Sequence, residues 1–328
     1  MKTVFIVNPK AGQGKNIEGV IERIKKTAEK LKAETHIYVT KAVGDAERFV
    51  REYCKTNGAA RFIACGGDGT LSEVLNGAVD TNETEIGVLP MGTGNDFCRN
   101  FDTESDFASI ESQINSKCVK CDIIKYKTSV NGEEKSGYCV NMVNIGFDCN
   151  VADMTAKMKE KPLISGSFAY LLSIFAILIK KKGANLKIEL DGQTKHTGPL
   201  LLTSIANGSY CGGGVKSNPI AQVQDGFINI NIIKNVSRIK FIKLLPYYMK
   251  GTFLKLRGID KIISSVKCKK ITITPLDGNM RLCNDGEISD AGTTEFEIIH
   301  NAINFVVPGT FTNEHSEYTN KINSTISV

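Results

Sequence analysis

The chain is 328 residues long, 41% hydrophobic and 23% charged, which excludes a disordered or low-complexity protein and leaves room for two hydrophobic cores. A net charge of +6 and the absence of Trp argue against a nucleic-acid binder and are compatible with an anionic membrane surface. No apolar run reaches the roughly 18 residues of a membrane-spanning helix. The first run, Val4-Phe5-Ile6-Val7, is too short for the core of a secretory signal, so a cytosolic protein is expected.

The first third alternates strands and helices. Residues 4–7 read as a strand. Val20, Ile21, Ile24, Ala28 and Leu31 recur at helical spacing, which predicts a helix over 17–31. Strands are predicted at 35–40, 62–65 and 86–89. Helices are predicted at 46–54, with Phe49, Val50 and Tyr53 on one side, and at 71–79. Such alternation implies parallel strands with crossover helices, an open α/β sheet whose ligands lie outside the carboxyl ends of the strands. Near Cys118 the character changes. Short β runs follow at 119–126, 138–145, 186–190, 200–206, 227–233, 271–274 and 296–299, and Asn131-Gly132 and Asp191-Gly192 supply hairpin turns. They imply a second, antiparallel β domain. A last strand at 304–307 is expected to cross back to the first domain. Residues 312–328, rich in Asn, Ser and Thr, read as a frayed tail. The ten cysteines are scattered, and the one CxxC, Cys118 and Cys121, has no partner pair at zinc spacing, so these are read as structural or incidental thiols.

Chemistry concentrates in the turns. Gly66-Gly67-Asp68-Gly69-Thr70 follows the strand at 62–65 and opens a helix. Glycines let the backbone approach a ligand, and helix-start amides face a phosphate. Asp68 adds a carboxylate that could hold magnesium beside it. The alternative is a tight turn without a ligand. Pro90-Met91-Gly92-Thr93-Gly94-Asn95-Asp96-Phe97 follows the next strand at the same sheet edge, as does Asn8-Pro9-Lys10-Ala11-Gly12-Gln13-Gly14-Lys15 after the first. The latter fails P-loop spacing and gains weight only from its neighbours. Asn284-Asp285-Gly286-Glu287 places two carboxylates in a hairpin turn of the β domain, where one could orient a hydroxyl and accept its proton. Alone, it reads as a solvated turn, since Asp-Gly is a common turn signal. Asp225-Gly226 fits either a turn or a cation site.

Taken together these motifs resemble the diacylglycerol kinase catalytic family of bacterial lipid kinases, related to the sphingosine and ceramide kinases, over nearly the whole chain. The resemblance implies a Rossmann-like nucleotide domain with a parallel sheet over 1–118 and an antiparallel β-sandwich lipid-substrate domain over 119–303. A returning strand would fall within 304–311, and the active site would lie between the domains. It implies ATP as co-substrate, its phosphates on the amides of Gly67, Gly69 and Thr70, with Gly66, Glu73, Asn95 and Asp96 in the same site. Asn8, Pro9, Lys10, Ala11, Gly12, Thr40 and Thr93 would line the nucleotide. Asp68, Asp96 and Asp122 would organise Mg2+. Asp285 and Glu287 carry over as the general base and its partner, in either order. A structural magnesium site would map to Asp225 with the carbonyls of Gln222 and Phe227, although Gln224 stands where an aspartate is common in the family.

A lipid kinase must reach a bilayer, so a lipid at the membrane surface is the expected partner, with a cytoplasmic, peripheral location at the inner face of the membrane and a homodimer left open. Residues 168–179 are nearly all apolar and precede Lys180, Lys181 and Lys182. Residues 239–257 mix Phe241, Ile242, Leu244, Leu245, Tyr247 and Phe253 with four lysines. Either could be an interfacial helix or a core helix. The core reading is favoured for 168–179, and both stand for 239–257. Competing readings are a soluble NAD kinase, whose family shares the GGDGT turn, and a catalytically silent nucleotide- or lipid-binding regulator. Retention of Asp68, Asp285 and Glu287 argues against the regulator. No GxSxG supports a hydrolase, and His36, His196, His300 and His315 suggest no metal cluster.

Overall fold

The computed structural model describes residues 1–14, 16–101, 104–147 and 183–309. Strands β1 (Thr3–Val7), β2 (Thr35–Val39), β3 (Arg61–Gly66) and β4 (Glu85–Pro90) are parallel, in the order β2-β1-β3-β4. Helices α1 (Ile17–Leu31), α2 (Asp45–Asn57) and α3 (Asp68–Ala78) connect them. The period-two alternation of a strand divides the sheet's side chains between two cores. Val4, Ile6, Phe62, Ala64 and Val88 pack with residues of α2 and α3, such as Val50, Leu71 and Val74. Phe5, Val7, Ile63, Cys65 and Leu89 pack with Ile24 of α1 and with Ile110, which opens α4 (Ile110–Asn115). Both faces are covered, which is why β1 is a continuous apolar run with every residue buried.

Strands β5 (Cys118–Val130) and β6 (Glu133–Cys139) form a hairpin about Asn131 and Gly132, both at positive φ. The remaining strands are β7 (Met142–Gly146), β8 (Ala184–Leu190), β9 (Gln193–Leu200), β10 (Leu202–Ala206), β11 (Ile228–Ile233), β12 (Ile263–Cys268), β13 (Lys270–Pro275), β14 (Met280–Asn284), β15 (Glu287–Ala291) and β16 (Thr294–Val306). Strand β16 pairs antiparallel with β5 and β13, and at Asn304 and Phe305 it runs parallel to β4. Through it the parallel sheet continues into β13, β8 and β9, so one ten-stranded sheet crosses residue 118 unbroken. A second, antiparallel sheet runs β12-β11-β10-β7-β14-β15. It closes on the first as a sandwich, with Ile124, Ile188, Ile271 and Phe296 facing Val143, Ile145, Ile205 and Ile230.

Four predicted strands differ from the fold, at three places. The run at 138–145 breaks into β6 and β7 at Val140-Asn141, because the amides of Val140, Asn141 and Met142 turn onto the Asp285 carboxylate. The run at 200–206 breaks at Leu201, where the chain passes from one sheet to the other and the Leu201 amide pairs with Ile233 O. The runs at 296–299 and 304–307 are one strand, β16, with a register shift between Ile299 and Ile303 and Asn301 at φ 54. That irregularity lets one strand serve two sheet segments. The predicted segment 168–179 and the tail 312–328 lie outside the described residues. No helix among the described residues is long and apolar enough to cross a membrane.

Candidate active site

The turns after β1, β3 and β4 meet at the carboxyl edge of the parallel sheet. Asn8, just after β1, ties the first two together: its Nδ2 donates to Thr70 Oγ1 at 3.0 Å and its Oδ1 accepts from Lys10 N at 2.9 Å. The backbones of the second and third turns touch. A Cβ on Gly92 would stand 2.5 Å from Gly67 Cα, so a side chain at Gly92 is excluded. Gly12, at φ 58, likewise abuts Met91 O. Asn8, Pro9, Lys10, Thr40, Lys41, Thr70 and Glu73 line one cleft, which with its mouth encloses about 450 Å³. Helix α3 begins at its floor, with Gly67 as the capping residue in extended conformation. The first-turn amides of a helix have no acceptor within it, and they carry the positive end of its dipole. This end of the cleft is therefore built to take an anion.

Two predicted site residues hold the loops of the cleft in place. Glu73 accepts from Gly44 N and Ala46 N, both at 3.0 Å, and so caps α2. Asn95, at φ 51, folds its side chain onto Gly92 N and Gly92 O and holds the third turn closed. Asn76 spans the two domains, accepting from Tyr138 N at 2.9 Å and donating to Tyr138 O at 3.1 Å.

The carboxylates divide by their partners. One oxygen of Asp68 accepts from Asp96 N at 2.8 Å and Phe97 N at 3.3 Å. Burial, then the nearby charges of Asp96 and Asp285, push its carboxyl up to about 6. Asp96 is itself buried and accepts from Gly213 N and Gly214 N at 2.7–3.1 Å. Gly212, Gly213 and Gly214 all lie at positive φ, which turns these amides inward from the second domain. Asp285, buried and at φ 46, accepts from Val140 N at 2.8 Å, Met142 N at 2.9 Å, Asn141 N at 3.1 Å and the Cys139 thiol at 3.2 Å. Burial raises its carboxyl, and these hydrogen bonds oppose the rise. Glu287 differs. It makes no hydrogen bond among the described residues, and its Oε1 lies 3.6 Å from where a Gly69 Cβ would stand, against the first turn of α3. Partial desolvation, then Glu73 and Asp285, raise its carboxyl above the usual range.

Two of the carboxylates expected at cation sites, Asp122 and Asp225, already have partners within the protein. Asp122 is fully buried and fully used: Oδ1 accepts from His300 Nδ1 and Asn301 N, and Oδ2 from Gly226 N, each at 2.7 Å. Asp225 Oδ2 carries the Lys267 ammonium at 2.7 Å and its Oδ1 accepts from Phe227 N. Gln224 donates to Lys120 O. The Asp225 carboxylate thus holds an internal ammonium. Among the described residues no group of three His, Cys, Asp or Glu side chains could hold a metal. Accordingly, Lys267→Gln is expected to lower Tm by a few degrees, since it leaves the partly buried Asp225 charge unpaired. Its Tm should then rise on adding Mg2+, whereas the wild-type Tm should ignore both EDTA and Mg2+ in the absence of nucleotide.

Sequence reasoning missed Lys267, Gly213, Gly214 and Asn207, whose Nδ2 donates to Asp122 O and Val140 O at 2.8 Å. Three consecutive glycines after Cys211 were the available signal for the loop at Asp96. Nothing in the local sequence marks Lys267 or Asn207.

A helix N-terminus at a cleft, with the Glu287 carboxylate against its first turn, suits phosphoryl transfer to a hydroxyl. The comparisons agree. The family profile described as "Diacylglycerol kinase catalytic domain" matches residues 2–126, and "YegS C-terminal NAD kinase beta sandwich-like domain" matches 141–307. A diacylglycerol kinase of Staphylococcus aureus (strain bovine RF122 / ET3-1) is 30% identical over 94% of this chain and 93% of its own. The chain thus belongs to the diacylglycerol kinase family and is a kinase of the lipid-kinase type. Two crystal structures share its fold. A diacylglycerol kinase from Bacillus anthracis str. Sterne has a TM-score of 0.68 at 22% identity, covering 95% of this chain and 98% of that one. Yeast NADH kinase complexed with NADH has a TM-score of 0.50 at 12% identity, covering 100% and 89%.

Proposed function

We propose that the protein transfers the γ-phosphate of ATP to the free hydroxyl of diacylglycerol, giving phosphatidic acid. The observation that carries this reading is the position of Glu287, an unpartnered carboxylate against the phosphate-facing start of α3. The amides of Gly69 and Thr70 bind the triphosphate, and Asn8, Lys10 and Thr40 hold the nucleotide in the cleft. Glu287 accepts the proton of the lipid hydroxyl as its oxygen attacks the γ-phosphorus and the bond to the β-phosphate oxygen breaks. Asp285 is a positioning residue. With four donors on its two oxygens it fixes the β6–β7 break and the turn that carries Glu287.

Asp68 is the residue fitted to hold magnesium. Its second oxygen lies beside Asp96, and burial, with the neighbouring charge of Asp96 added to it, raises its carboxyl. Magnesium commonly takes one or two carboxylates and completes its shell with phosphates and water. When bound, such an ion would supply neutralisation of the charge on the transferring phosphoryl group. Asp96, its oxygens occupied by glycine amides, would act through water.

The acceptor class rests on a second observation. Phe147, Leu202, Ile233, Leu244, Phe253 and Ile263 line an apolar pocket that with its open mouth encloses about 620 Å³. Phe147 lies five residues beyond Met142, one of the amides held by Asp285, hence roughly 16 Å along an extended strand. That is about half the ~30 Å hydrocarbon thickness of a bilayer, the length scale of one acyl chain. A soluble dinucleotide has no use for such a cavity.

The test is phosphate transfer from ATP radiolabelled at the γ-position, with Mg2+, to a panel of lipids in mixed micelles beside NAD. Label in an organic-extractable product on diacylglycerol is expected. Label on NAD would move the protein to the NAD kinases, and ATP binding without transfer to any acceptor would favour the regulator.

A further inference from the structure

Helix α5 spans Arg238–Met249, and none of its residues is buried. Its inner stripe, Phe241, Leu244, Leu245 and Tyr248, packs only partly against the apolar cluster around Phe147 and Phe253 and lines the cavity described above. A surface helix normally turns polar on its other face. Here that face leaves Ile239 at 70%, Ile242 at 48% and Tyr247 at 45% exposure. Scattered exposed apolar residues need no explanation, but three on one face of one helix form a patch.

The stretch of chain that carries this helix has charge of one sign. Between Asp225 and Asp260 the chain carries seven Lys or Arg and no Asp or Glu, against a net charge of +6 for the whole protein. The basic excess is therefore concentrated here. Lys240, Lys243 and Lys250 are exposed and, among the described residues, form no ion pair. At 100° per residue Lys243 and Lys250 fall on the same arc as Ile239 and Tyr247, with Lys240 at its edge. Apolar side chains between lysines, without an acid to repel an anionic surface, match the headgroup boundary of a bilayer better than a protein groove.

We infer that the outward face of α5 is a docking surface for an anionic phospholipid bilayer. Ile239, Ile242 and Tyr247 enter the headgroup boundary, and Lys240, Lys243 and Lys250 pair with lipid phosphates. The inference rests on the lipid-kinase reading for its purpose, but vesicle binding needs no turnover, so the two can fail separately.

The experiment is sedimentation of the full chain with large unilamellar vesicles of phosphatidylcholine, with and without phosphatidylglycerol. The wild type is expected to bind the anionic vesicles and to release them as salt is raised. Ile239→Glu with Ile242→Glu should weaken binding at least tenfold. Each of Lys240→Gln and Lys243→Gln should weaken it about fivefold at low salt. Tm and ATP binding should stay at wild-type values, since these side chains touch neither the core nor the ATP cleft. Absence of binding to anionic vesicles, or variants that bind as the wild type does, would overturn the assignment. So would variants that alter only the mass in solution, which would make the face an interface between two copies. Salt-sensitive, α5-dependent binding without lipid phosphorylation would uphold docking and reject the kinase reading. Lipid phosphorylation in micelles with vesicle binding indifferent to α5 would do the reverse.

Discussion

Replacing Glu287 by Gln is expected to lower kcat by about 10²–10⁴-fold, the usual worth of a positioned general base, with ATP affinity and Tm unchanged. The carboxylate makes no hydrogen bond among the described residues and its side chain is exposed, so the isosteric swap removes no support from the fold. Partial desolvation, with Glu73 and Asp285 nearby, raises its carboxyl above the usual range. The base must be ionised to act, so wild-type kcat should fall as pH drops through that raised value, and the Gln variant should lose this acid limb. Asp285→Asn gives the contrast. Its amide nitrogen would have to face Val140 N or Met142 N, setting donor against donor where a hydrogen bond stood. That is worth about 1–3 kcal/mol, a loss of several degrees in Tm. Kinetics at varied pH beside thermal melts separate the two. Full kcat in Glu287→Gln, or an unchanged Tm with lost kcat in Asp285→Asn, would exchange the roles assigned here.

What could be read in advance followed a physical divide. The parallel half was legible because β1, β3 and β4 are buried on both faces and each crossover helix shows its own spacing, as with Ile24 and Ala28 in α1. Its glycine turns were legible because a strand followed by Gly66-Gly67 has few uses besides close approach to a ligand. The order of roles at Asp285 and Glu287 was not legible. Asp285 is committed by amides 143 to 145 positions away, and only the folded sandwich brings them together. For the same reason 138–145 looked like one strand: apolar periodicity continues across Val140-Asn141 although the backbone breaks there. The ammonium on Asp225 comes from Lys267, forty-two residues distant on β12, a strand too polar to be recognised. Local chemistry is visible in sequence, whereas satisfaction of a charge by a remote partner is not.

Asp68→Asn should do the opposite of an ordinary active-site loss: abolish turnover while making the ligand-free protein more stable at neutral pH. Removing the one carboxylate fitted to hold the cation at the phosphates should cost at least about 10²–10³-fold in kcat. The stability effect follows from the shift of Asp68 from 3.8 up to about 6. A carboxyl with a raised folded-state value binds its proton more tightly folded than unfolded. Stability is therefore highest below the unfolded value and falls as pH rises towards about 6. Above that point ionised Asp68 costs the fold roughly 3 kcal/mol, within a factor of two. Asn at this position keeps the acceptor for Asp96 N and Phe97 N but carries no charge to set against Asp96 and Asp285. Its Tm should thus exceed the wild-type Tm at pH 7.5, and the gap should close as pH is lowered towards 4. Adding ATP with Mg2+ should raise the wild-type Tm more than the variant's, because only the wild type has a charge for the cation to neutralise. Equal Tm values at pH 7.5, or retained turnover, would remove Asp68 from the role given to it. The agreement of both effects would identify its burial among like charges as a strain that the bound phosphates and their cation relieve.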